Sequence, residues 1–144
     1  MKKEIIDLLI GQGQLRIRQL DGEKVKSMVE AAQTNAKVIK MLPLTEETAT
    51  VVFREIYESI RQLGDAQWWL LGYEPRNHEV SMDILQEIDI KEKLLLNYLP
   101  RFKKIRNDAN YRGFRVTLAQ AQEIMDFWDR CAPEMLKIIL GKRK

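Results

Sequence analysis

One cysteine, one histidine and four prolines are spread through 144 residues, and each scarcity rules something out. With Cys131 alone, no disulfide can form within the chain, and a reducing compartment is the expected setting. His78 and Cys131 cannot supply three soft ligands, so the common zinc and transition-metal sites are not expected, and no cofactor is implied. A nucleophilic Cys131 served by His78 is formally available, but the edge of an apolar helical stripe suits a small inert core thiol better. No apolar run approaches the roughly 20 residues of a membrane span. The stretch Ile5 to Ile10 is interrupted by Asp7 and lacks a small-residue cleavage site, unlike a signal peptide. A cytoplasmic protein without membrane contact is expected. Repeats, low-complexity tracts and Ser/Pro-rich linkers are also missing, so no boundary divides the chain beyond a short extension at its start.

What is present is the mixture of a folded chain. Hydrophobic residues make up 45% and charged residues 31%, too apolar for disorder and enough to fill one core. A net charge of +3 permits nucleic-acid binding without implying it. Distribution matters more: Arg101, Lys103, Lys104, Arg106, Arg112 and Arg115 face one acid, Asp108, and the chain ends Lys142-Arg143-Lys144. Such a run is commonly a solvated helix face.

Apolar spacing predicts helices almost throughout. A short helix from about Lys3 to Ile10 is broken by Gly11-Gln12-Gly13, and Leu15 to Arg18 alternates like an extended arm. The lone Gly-x-Gly has no third glycine and reads as a turn, not a phosphate cradle. Asp21 can cap a helix to about Leu42, which Pro43 ends. Thr45, Thr48 and the acids Glu46 and Glu47 open the next helix, which runs to about Leu71 before Gly72. That helix is apolar on two sectors, with Val52, Ile56, Leu63, Ala66 and Leu70 on one and Phe53, Tyr57, Trp68 and Leu71 on the other. It must be covered by two neighbours or by another subunit. Asn77 begins a helix to about Ile88, and another starts near Lys91 and carries Leu95, Tyr98, Leu99, Phe102 and Ile105 inward. Pro100 should kink or divide it. A last helix from Thr117 has a stripe of Leu118, Ala121, Ile124, Met125, Trp128, Ala132, Met135, Leu136 and Ile139, with Pro133 opposite. The expected fold is an all-α, antiparallel up-and-down bundle over residues 21–144, with residues 1–20 as a short N-terminal extension.

The segment richest in chemistry is Lys104-Ile105-Arg106-Asn107-Asp108-Ala109-Asn110-Tyr111-Arg112-Gly113-Phe114. Arg106 offers five donors in a planar fork suited to phosphate or carboxylate. Asn107 and Asn110 are short amides suited to helix ends, and Tyr111 joins an aromatic face to a hydroxyl. The residues alone fit equally well a stitch between the end of one helix and its neighbour.

This arrangement resembles the HEPN family (higher eukaryotes and prokaryotes nucleotide-binding). The similarity lies in an Arg-Asn pair closing the penultimate helix, a residue of interest five positions after the arginine, a glycine, and a long amphipathic final helix. The long apolar helix ending at Gly72 and the turn from Tyr73 to Arg76 before His78 are similar too. The resemblance covers roughly residues 21–140. It implies a homodimer whose two motifs meet across a two-fold axis, binding RNA or a nucleotide through Arg106, Asn107, Asn110, Tyr111 and Arg112, without DNA or metal. A nucleotidyltransferase-like partner protein is also implied. Family nucleases pair the arginine with a histidine, so Arg106 and Tyr111 are the catalytic candidates. Tyr111 stands where that histidine belongs, and a phenol with a pKa of about 10 is a poor base near neutrality. Ribonuclease activity is therefore expected to be weak or lost. The alternatives are an active metal-independent endoribonuclease of toxin type and a non-catalytic helical adaptor.

Overall fold

The computed structural model describes residues 1–141, and the expected basic tail from Lys142 to Lys144 lies outside them. Six α-helices and two three-residue strands order the described residues: α1 (Lys3–Gly11), β1 (Leu15–Ile17), α2 (Gly22–Ile39), α3 (Ala49–Leu70), β2 (Tyr73–Pro75), α4 (His78–Leu85), α5 (Leu99–Tyr111) and α6 (Leu118–Ile139). A 3-10 helix, Lys93–Tyr98, leads into α5. The all-α expectation thus holds in its coarse form.

Helix ends follow their local chemistry. Asp21 accepts from the Lys24 amide and opens α2, and Thr117 with Gln120 forms a reciprocal capping box on α6. Thr48 precedes α3 but does not cap it, because its hydroxyl is turned back on the preceding loop, accepting from the Thr45 amide at 2.9 Å and donating to the Pro43 carbonyl at 2.7 Å. Glu46 and Glu47 consequently lie before the first turn, not in it. Pro100 divides the fifth helical stretch as expected: the 3-10 turn ends at Tyr98, and the proline falls in the first turn of α5, where its missing N–H has no partner to lose. Gly72 and Gly113 have φ of +95° and +71°, so the chain reverses after α3 and after α5 through conformations that a Cβ disfavours.

The core is built around α3, which packs against α2, α4, α5, α6 and β2. Twelve of its 22 residues are buried, and Phe53, Tyr57 and Trp68 are covered within the single chain. The expectation that so apolar a helix needs cover on more than one side is met by its own neighbours, without a second copy. Asn35 of α2 donates to Ser59, satisfying a buried hydroxyl where the two helices meet.

The arm at Leu15 to Arg18 is extended over Leu15–Ile17, in keeping with its alternation: β1 pairs antiparallel with β2 in the register Leu15 to Pro75 and Ile17 to Tyr73, and Leu15 is buried in the core. The second strand is invisible to a helical reading, because three residues after a helix carry no periodicity. Leu118 and Tyr98, expected to face inward, are 42% and 38% exposed. Both stand at helix ends, where fewer neighbours reach over them.

Candidate functional site

Phe102 fixes the orientation of α5. Fully buried, it packs edge-on against Phe53 and Phe127 with ring centres at 6.0 and 5.3 Å. Arg106 lies one turn further on the same face and so also meets α3, its guanidinium 5.6 Å from the centre of the Tyr57 ring. Lys103, Asn107 and Tyr111 follow at four-residue intervals, a second stripe beside the first.

These side chains form one wall of a cleft of about 490 Å³. Tyr57 contributes the floor, and the β2–α4 junction contributes the opposite wall through Arg76, Asn77, His78 and Glu79. Of the expected site residues the cleft brings together Arg106, Asn107 and Tyr111. Arg112 lies outside it, in a shallow adjoining groove shared with Asn107, Tyr111 and Lys104. Asn110 is exposed on the last turn of α5 and lines neither. Tyr111 itself is 77% exposed, at the lip and not in the depths.

Charge is unevenly satisfied here. Outside the cleft lining, Arg61 spends its fork on two acids of its own helix, donating to Glu58 at 3.0 Å and to Asp65 at 2.6 Å. Burial pushes the Glu58 carboxyl upward, but the hydrogen bonds and charge of Arg61 outweigh it and hold the group below its ordinary range. Asp65 goes the other way, burial prevailing over its bonds to Ser81 and Arg61. Within the cleft, Lys103 faces Glu79 at 3.4 Å. Arg76 and Arg106 make no ion pair among the described residues. The cleft therefore presents two guanidinium groups without an ion-pair partner among the described residues, two side-chain amides and one imidazole, an arrangement that favours an anionic ligand with several acceptors. Burial lifts the Tyr57 phenol to about 12, so this floor residue is a neutral donor at any physiological pH.

The basic run of α5 is largely a solvated face, as composition suggests. Arg101 meets Glu123 at 3.1 Å and Lys104 meets Asp108 at 3.3 Å. Cys131 is fully buried, with its thiol pushed up to about 11 by burial, in keeping with an inert core role. Motif reading did not find Tyr57, Arg76, Lys103 or Glu79. Tyr57 carries an apolar-stripe signal only, and Lys103 stood out only as one cation of the basic run between Arg101 and Arg115.

No family model, curated protein or solved structure matches this chain. No helix among the described residues is long and apolar enough to cross a membrane.

Proposed function

We propose that this protein is a HEPN-like, antiparallel up-and-down helical bundle that works as a homodimer and binds RNA or a nucleotide in the cleft around Arg106, Asn107 and Tyr111. Ribonuclease activity is weak or lost. The observation that carries this reading is the state of Arg106: its guanidinium rests against the Tyr57 face and makes no ion pair among the described residues, feeling Glu58 only through its charge, in a cleft that also holds Arg76 and Asn107. A purely structural arginine would be saturated, as Arg61 of α3 is by Glu58 and Asp65. The departure at Tyr111 argues for binding over cleavage.

The test is fluorescence anisotropy with a labelled single-stranded oligoribonucleotide at several salt concentrations. Binding that weakens steeply with salt, and that Arg106→Ala weakens about tenfold or more without lowering the melting temperature, supports the reading. Salt-independent or undetectable binding refutes it and leaves a helical adaptor.

One observation favours a second reading, an active metal-independent ribonuclease: the cleft does contain an imidazole, His78, although on α4 and not in the motif. RNA incubated in EDTA and then examined for 2′,3′-cyclic phosphate ends separates the two readings.

A further inference from the structure

The first turn of α4 is held more firmly than an eight-residue helix requires. Asn77 caps it by accepting from the Val80 amide at 3.1 Å. Trp68, buried in α3, donates its indole N–H to the Val80 carbonyl at 2.7 Å. Ser81 donates its hydroxyl to Asp65, which Arg61 holds from the other side. Gly64 lets the backbones meet: a Cβ there would stand 1.9 Å from the Ser81 carbonyl oxygen. Four devices from α3 and the preceding loop thus fix one helical turn, and the residue that opens this turn, His78, is the only imidazole of the chain.

His78 stays open to solvent on the cleft wall that faces α5. We propose that His78 couples ligand binding in this cleft to the uptake of one proton, standing neutral beforehand and becoming an imidazolium donor to a phosphodiester that docks beside Arg106. This rests on the proposal that the cleft takes RNA or a nucleotide.

The surrounding charges set the direction. Partial desolvation and the positive charges of Arg61 and Arg106 hold the imidazole below its ordinary value, outweighing Glu58 and Asp65. Arg76 beside it and Lys103 across the cleft are further cations, although Glu79 opposes Lys103. The amino end of α4 adds partial positive charge, and Tyr57 and Tyr111 are the remaining titratable groups lining the cleft. A phosphate between His78 and Arg106 reverses the balance, because its negative charge screens the guanidinium and accepts a hydrogen bond from the protonated ring. Arg106 supplies a constant cation and His78 a conditional one, so affinity rises as pH falls.

A 2′-O-methyl oligouridylate with hydroxyl ends is a suitable probe: it cannot be cleaved through its 2′ oxygen, and its diesters do not titrate between pH 5.5 and 8. Because the chain has one histidine, its imidazole resonance reports directly on His78. It should titrate with a midpoint below about 6.5 in the free protein and above that value when saturated with the probe. Calorimetry at pH 6.5 in two buffers of different ionisation enthalpy should show proton uptake by the wild type and none by His78→Gln. Affinity should rise on acidification by at most about tenfold per pH unit in the wild type and stay level in the variant. A wild type that binds without proton uptake, or a His78→Gln protein that takes up as many protons, overturns the coupling while leaving the binding function intact. A wild type that fails to bind the probe at every pH overturns the binding function itself, and the coupling with it.

Discussion

Arg106 and Tyr111 share one wall of the cleft, but their settings differ. The arginine is half-buried against an aromatic face, while the tyrosine stands at the lip. Tyr111→His should therefore be well tolerated by the fold and should place an imidazole near Arg106. Cleavage of single-stranded RNA in EDTA is expected to appear or rise, since general base catalysis contributes about a hundredfold to ten-thousandfold when geometry allows. The double variant with Arg106→Ala should lose the gain. Equal, negligible cleavage by all three folded proteins would count against a vestigial nuclease site. Tyr57 makes a second prediction at this scale. Its folded phenol lies near 12 and an unfolded one near about 10, so the stability it contributes is complete below the lower value and is lost as pH rises through the higher. Alkaline absorbance titration of the folded protein should show a late phenolate component near pH 12 that Tyr57→Phe lacks, and the variant should also lose less stability between pH 10 and 12. Cys131 offers a third: a thiol reagent should leave it unmodified in the folded protein and label it at once in denaturant.

Among the elements, α4 shows how a short helix acquires a definite position. Eight residues are too few to hold a helix by propensity, and its placement comes from contacts that span α3 and the β2 turn. Gly64 is the point most exposed to substitution. Gly64→Ala would ordinarily stabilise a mid-helix site by up to about 1 kcal/mol, but the clash with the Ser81 carbonyl forces α3 and α4 apart. A net loss of roughly 2 to 3 kcal/mol in chemical denaturation is expected. If Gly64→Ala proves as stable as the wild type, the close approach is not a constraint. The caps at Asp21, Asn77 and Thr117 and the break at Pro100 were legible in the sequence because each acts on its own turn. The antiparallel pairing of β1 with β2 was not, because it joins residues almost sixty positions apart and lies against a helical background.

For the whole molecule, the burial of Phe53, Tyr57 and Trp68 within one chain removes the circumference of α3 as a reason for dimerisation. The proposed homodimer rests on the HEPN resemblance and on the apolar groups left open beside the motif, Phe114 at 57% and Leu118 at 42% exposure. Light scattering at micromolar concentration should give twice the 16.9 kDa of one chain. A monomeric mass there would sink the dimer, and a cleft that binds RNA would then have to be complete in a single copy. The sequence by itself determined the helical class, most helix boundaries, the isolation of Cys131 and the Arg106-Asn107-Tyr111 cluster. All of these follow from periodicity, caps and residue chemistry acting within a few turns. Tertiary structure alone decided that α3 is covered by its own chain, that Arg61 is saturated while Arg106 is not, and that His78 faces the motif from another helix. The physical reason is that neutralisation and burial depend on which distant side chains arrive at a given face, and a one-dimensional pattern records the face of each helix but not its neighbour.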